Sequence, residues 1–184
     1  MAMGFCLFNN VAIAASALRE EGLPRVLIVD WDVHHGNGTQ HLFEDDPSVF
    51  YFSVHQFPLY PGTGAASERG RGDGLGTTLN RPLPPGSGDE AFLRALREDL
   101  VPAAADFRPD LVLVSAGFDA HAADPLAGLN VSTEAFGEAT RIVAGLAEEL
   151  AGGRLVSVLE GGYDLGALSA SAAAHVAALL GDAA

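Results

Sequence analysis

Only one cysteine, Cys6, occurs in 184 residues, so no disulfide can close within the chain. A reducing compartment such as the cytoplasm is the simpler expectation. Positive charge is also scarce. Ten Lys and Arg stand against 24 Asp and Glu, a formal charge of -14, which repels phosphate backbones and anionic lipid heads; the expectation is no nucleic acid and no membrane partner. A cationic partner does not follow, because acidity more often serves solubility. No apolar run reaches the roughly 18 to 20 residues that span a bilayer. The amino-terminal stretch is apolar and Ala15-Ser16-Ala17 imitates a cleavage site, but no basic residue precedes Arg19 and Asn9-Asn10 interrupts the run, so no secretory signal is expected. What is present suits a folded unit: 48% hydrophobic and 18% charged residues, in a length that fits one domain.

Asn9 or Asn10 can cap a helix that places Val11, Ala14, Ala15 and Leu18 on one face and stops at Gly22 and Pro24. Residues 26–30 (VLIVD), 49–54 (VFYFSV), 111–115 (LVLVS) and 155–159 (LVSVL) are short, β-branched and apolar without alternation. That pattern predicts strands covered on both faces in a parallel sheet. Helical spacing lies between them, at Phe92, Leu96 and Leu100, at Phe136, Val143, Leu146 and Leu150, and at Leu168, Val176 and Leu180. The class is α/β. Residues 58–88 are rich in Gly and Pro and show strand character only around Thr77 to Leu79. The glycines at 70–76 are not a nucleotide loop, because no strand enters them and no helix can open after them.

Unusual polar groups follow each apolar strand, where parallel sheets bind ligands. After VLIVD, alternation sends Asp30, Asp32 and His34 to one side while Trp31 and Val33 pack on the other. Two carboxylates and an imidazole brought together would carry a large desolvation and repulsion cost that a divalent cation removes. Asp32, His34 and one further carboxylate, Asp119 being the favoured candidate, form an open donor set suited to Zn²⁺, with Fe²⁺ or Mn²⁺ as alternatives. Each residue alone has a plainer reading: Asp caps helices, and an isolated His is commonly a satisfied core group. His35 is expected to support the site from behind, His41 and His175 to be ordinary surface or helix positions, and His121 and Asp124 to organise the turn before Pro125. Gly161-Gly162 permits close backbone approach while Tyr163 points a phenol into the site, where it could donate to a developing oxyanion.

The strings AMGFCLFNNVAIAA, DWDVHHGNGTQ, SVHQFPLYPGTG, SAGFDAHAADPLAGL and LEGGYDL resemble the class II branch of the zinc-dependent histone deacetylases, within the wider histone deacetylase, acetylpolyamine amidohydrolase and acetoin utilization superfamily. The resemblance runs from Ala2 to near the carboxyl terminus. It implies an arginase-like three-layer α/β fold with a mostly parallel sheet, and hydrolysis of an acetyl amide by metal-activated water. Carried over by position, Zn²⁺ (with Fe²⁺ possible) would be held by Asp32, His34 and Asp119, and Tyr163 would polarise the acetyl carbonyl. Phe5 and Tyr60 would wall a narrow tunnel, Leu126 would form its rim, and Gly4 and Gly162 would give backbone contacts. A structural K⁺ would be held by Asp30, Ser53, Val54 and the backbone of Asp32 and His34.

The resemblance also implies a departure. The family carries an adjacent His pair, the general base and acid, shortly before the segment matching Ala2 to Cys6, and this sequence begins after it. Asp30 and Asn37, which would orient that pair, are then left without it, and activity is expected to be impaired by about 10² to 10⁴ for each missing group. The chain is thus expected to be one partial domain, truncated on its amino-terminal side; the absent part supplies edge strands beside VLIVD in the family, so the sheet is expected to stay contiguous yet expose a strand normally covered, open to homo-oligomer pairing. Alternatives are a non-catalytic metal-binding or interaction fragment, and an acetylpolyamine amidohydrolase. Leu126 at the rim, in place of an acidic gate for a cationic polyamine, favours acyl-lysine on a protein over a small acetylated amine. A binuclear manganese site of the arginase type would need more carboxylates than these strand ends supply.

Overall fold

The computed structural model describes residues 5–181. Helix α1 (Asn10–Glu20) starts where the Asn9 side chain accepts the Ala12 N–H at 2.9 Å, and Gly22, at φ 96°, turns the chain out of it. Strand β1 (Val26–Asp30) follows, then α2 (Asn37–Phe43), β2 (Val49–Gln56) and β3 (Thr78–Leu83). Next come α3 (Asp89–Arg94), a π-helical turn (Ala95–Leu100) and α4 (Val101–Phe107), which continue one another, and then β4 (Leu111–Ala116). Helix α5 (Thr133–Ala151), strand β5 (Leu155–Leu159) and helix α6 (Leu165–Leu179) complete the order. Among the described residues no helix is long and apolar enough to cross a membrane.

All pairings are parallel and the strand order is β3-β2-β1-β4-β5. Alternate residues of each central strand feed opposite layers. Leu27 and Val29 join the cluster of Phe52, Phe92, Leu96, Phe118 and Phe136 under α3 to α6, while Val26 and Ile28 pack with Val11, Ala15, Phe43 and Tyr51 under α1 and α2. The three-layer α/β class expected from the sequence is therefore present. The register sets Asp30 level with Ser53 on one side and Ser115 on the other, at the carboxyl end of the sheet.

Several expectations need correction. The absent edge strands are expected beside β1, yet both sides of β1 are occupied, by β2 and β4, and it is buried along its length. Among the described residues the open edges are β3 and β5, and β5, expected to be covered on both faces, leaves Val156 and Leu159 47% and 60% exposed. β3 extends past the short stretch the composition suggested, through Pro82; an edge strand tolerates proline because its outward N–H needs no ladder partner. The inward stripe of α6 keeps Leu168, which packs against the larger core, but not Val176 and Leu180. Its buried positions are Ala167, Ser171, His175 and Ala178, whereas Val176 and Leu180 face outward. In this alanine-rich helix small residues give the closest approach to α5, so hydropathy alone does not select the inward face.

Phe136 lies at the junction of the larger layer, its ring 5.7 Å from Phe92 and 5.1 Å from Phe118. Replacing it by Ala removes a fully buried ring, and the expected cost is about 3 to 5 kcal/mol, read as a lowered urea midpoint at unchanged slope.

Candidate metal centre

The carboxyl ends of β1, β4 and β5 converge on one cluster. One ligand atom each from Asp32, His34 and Asp119 lies within 4.8 Å of the others. His34 Nδ1 stands 3.1 Å from Asp119 Oδ2 and 3.2 Å from Asp32 Oδ1. Backbone amides orient both carboxylates: Val33 N–H donates to Asp119 Oδ1 at 2.8 Å, His34 N–H to Asp32 Oδ1 at 2.9 Å, and Gly161 N–H to Asp32 Oδ2 at 2.9 Å. Gly161 must be glycine, since a Cβ there would collide with the Asp119 carboxylate. The alternation read from the sequence holds, with Trp31 and Val33 fully buried in the larger core.

The electrostatics suit a cation. Hydrogen bonds from the imidazole to Asp119 and then to Asp32 push His34 up to about 10, so without metal the imidazole carries a proton between two carboxylates. Burial raises Asp119, against the pull of His34. Burial and then the nearby Asp32 raise Asp30, and the same two causes lift Glu160 to about 7. A divalent ion placed among two carboxylate oxygens and one imidazole nitrogen would take over the role of that proton, so the donor set fits a metal of the zinc or iron class.

The surrounding residues are placed as follows. Asp30 is buried, accepting Tyr51 O–H at 2.9 Å and Asp32 N–H at 3.1 Å, beside buried Ser53 and Val54. Tyr163 is 37% exposed, and burial and then Asp119 push its phenol up to about 12; it stays a neutral donor. The Phe5 ring stands edge-on to Tyr163 at 5.9 Å and the Tyr60 ring edge-on to His34 at 6.4 Å. Leu126 is exposed beside it, and Gly162 takes φ 140°. Gly4 lies outside the described residues. His35 is buried but turns away from the donors, bonding Thr63 Oγ1 at 2.8 Å and Gln40 Oε1 at 2.9 Å. Asn37 opens α2 with its N–H on His35 O at 2.8 Å.

Sequence reasoning missed several contributors. Asp124 was expected only to shape a turn, but its two oxygens accept Leu126 N–H at 2.9 Å and Tyr163 N–H at 2.7 Å. It thereby couples two segments that border the centre. Tyr51 reads as a core aromatic, yet its hydroxyl links Asp30 to Gly36 N–H. Glu160 carried a signal in its place beside Gly161. His175 lies on a helix, as expected, but is buried there, whereas His41 is exposed.

Set beside known proteins, the chain matches the histone deacetylase domain over residues 1–179. It is 54% identical over 181 residues to histone deacetylase 14, chloroplastic, of Arabidopsis thaliana, covering 98% of this chain and 43% of that protein. It is 45% identical over 179 residues to a probable deacetylase of Archaeoglobus fulgidus, covering 97% and 50%. The crystal structure of the HDA15 HD domain superposes with a TM-score of 0.93 at 46% identity, over 98% of this chain and 51% of that one. The histone deacetylase Clr3 gives 0.91 at 43%, over 98% and 31%. The fold is therefore the arginase-like α/β fold of the deacetylases, and the chain belongs to the histone deacetylase domain family. It spans about half the length, or less, of these relatives.

A network beside the centre sets a pH dependence. His55 Nε2–H donates to Gly64 O at 3.0 Å, so Nδ1 accepts the Ser53 hydroxyl at 2.8 Å. Burial first, and then His35, lowers His55 from 6.5 to about 4. A folded value below the unfolded one means that the unfolded chain binds the extra proton: stability is complete above about pH 6.5 and falls as pH drops toward 4, by about 3 kcal/mol from this group. His34 works oppositely in the metal-free protein, stabilising at low pH and losing its contribution as pH rises through about 10. Asp30, Asp119 and Glu160, all raised, act in the opposite sense over the same range, so the share of His55 is read as a difference: on acidification from pH 6.5 to 4 the urea midpoint of chelator-treated His55→Gln should fall less, or rise more, than that of the unaltered chain.

Proposed function

We propose that the chain carries the metal centre of a zinc-dependent deacylase, which hydrolyses the acetyl amide of acetyl-lysine or a related acylated amine to acetate and the free amine. The observation behind this reading is the meeting of Asp32, His34 and Asp119 at the strand ends, within 4.8 Å, in a histone deacetylase family chain. Those three would hold Zn²⁺, with Fe²⁺ as the alternative. The ion, when bound, supplies a Lewis acid that polarises the acyl carbonyl and acidifies a water. Tyr163, neutral at physiological pH, would donate its phenolic proton in a hydrogen bond to the carbonyl oxygen and hold the charge that develops there. Phe5 and Tyr60 would line the alkyl stem and exclude water, with Leu126 at the rim and Gly4 and Gly162 as backbone contacts.

A K⁺ would sit at Asp30, Ser53 and Val54. Ser53 gives its hydroxyl proton to His55, so its oxygen keeps lone pairs for a cation. Asn37 would support the centre from behind, and His35, bonded to Thr63, would act through the segment that carries Tyr60. The apolar rim at Leu126 favours an acyl-lysine protein over a cationic polyamine. A reducing compartment such as the cytoplasm fits the lone cysteine, Cys6, and the open β5 edge offers a surface for homo-oligomer pairing. A second reading is one partial domain that holds metal without turnover.

Zinc titration combined with a fluorogenic acetyl-lysine peptide separates the two. Asp119→Ala should lose stoichiometric zinc uptake. Tyr163→Phe should keep the zinc while any measured turnover falls about 10² to 10³-fold. Zinc uptake with no hydrolysis by the unaltered chain selects the second reading, and no zinc uptake at all defeats both.

A further inference from the structure

Beneath the donors, on the α5 and α6 side of the sheet, lies a buried polar chain whose proton order can be deduced. Thr140 has one hydroxyl proton, which goes to Phe136 O at 2.7 Å. Its oxygen therefore accepts His175 Nδ1–H at 2.6 Å, leaving His175 Nε2 to accept the Ser157 hydroxyl at 2.8 Å. One imidazole, 5% exposed, thus ties α6 to α5 and to β5. Burial lowers its pKa, in keeping with an unprotonated Nε2.

The same ring packs against residues next to the donors. It stands edge-on to Trp31 at 5.7 Å and to Phe118 at 5.8 Å. Trp31 separates Asp30 from Asp32, and Phe118 directly precedes Asp119. Ser157 lies on the strand that delivers Gly161, whose N–H holds Asp32 and whose carbonyl accepts Phe118 N–H at 2.7 Å. Among the described residues β5 pairs with β4 alone and exposes Val156 and Leu159, so ties into its inner face matter for its placement.

We propose that His175 is a positioning residue for the metal centre, holding Trp31, Phe118 and β5 in the arrangement that brings Asp32, Asp119 and Gly161 together. This rests on the metal-centre reading above. Side chains that orient ligands from behind typically change metal affinity 10 to 100-fold when removed.

The test uses the full chain and cobalt(II) as the probe, followed by its visible absorption, with urea midpoints for every variant. His175→Ala should weaken cobalt binding at least about tenfold and alter the band shape. His175→Gln, whose amide oxygen can accept the Ser157 proton, should recover most of that loss; no recovery overturns the link through Ser157. Val49→Ala, a buried truncation at the amino end of β2, is the control: its urea midpoint should fall while cobalt affinity stays unchanged. Equal loss of affinity in Val49→Ala and His175→Ala would show general loosening and overturn the proposal. Should His175→Ala fail to fold, Ser157→Ala takes its place, with weaker cobalt binding expected and unchanged binding overturning the proposal. An unaltered chain that binds no cobalt overturns the metal centre itself. Normal binding by both the unaltered chain and His175→Ala overturns only the positioning role.

Discussion

The rest of the structure depends on confining carboxylates of like charge at one end of a parallel sheet. Asp30, Asp32, Asp119 and Glu160 gather there, and burial raises three of them, Asp30, Asp119 and Glu160. Nothing in a sheet interior tolerates such a group without compensation. Compensation comes from backbone amides of Asp32, Val33, His34 and Gly161, from the Tyr51 hydroxyl and from the His34 imidazole. Each of these donors needs the chain to leave its strand along a particular path. Gly161 shows the constraint most directly, because the space a side chain would need is filled by the Asp119 carboxylate.

The segment carrying Tyr60 answers to a related demand. It has little regular structure of its own, yet polar bonds pin it to the frame: His55 to Gly64 O, His35 to Thr63, Gln40 and Asn80 to Glu68, and Glu68 to the amides of Gly64 and Ala65. A long connection fixed in this way behaves as part of the site. Asp124 does the same for Tyr163 and Leu126. The borders of the centre are therefore held by hydrogen bonds, and its floor by aromatic packing around Trp31, Phe118 and Phe136.

Much of this was legible in the chain. β-branched runs marked four of the five described strands: in β1, β2 and β4 burial on both faces suppresses alternation, whereas β5 carries the same kind of run at an exposed edge. β3 was nearly invisible, since an edge strand through Pro82 and Asn80 has no such run. The donor set followed from period-two spacing after β1, and Asp119 from its place after β4. Asp124, Tyr51 and His175 could not be read this way. Their partners, Tyr163, Asp30 and Ser157 among them, lie far off along the chain or on neighbouring strands, and no local pattern encodes a hydrogen bond of that kind.

The sequence by itself determined where four of the strands would lie, that the sheet would be parallel, and which side chains would leave the strand ends toward one region. Those properties follow from local geometry: side-chain alternation, helix capping and apolar content. Tertiary structure alone decided the strand order, with β1 central and β5 at the open edge, the face that α6 turns inward, and the amides that orient each carboxylate. Those depend on which distant segments come to share a boundary, and strand pairing and helix docking are contests among many contacts that a one-dimensional pattern does not record.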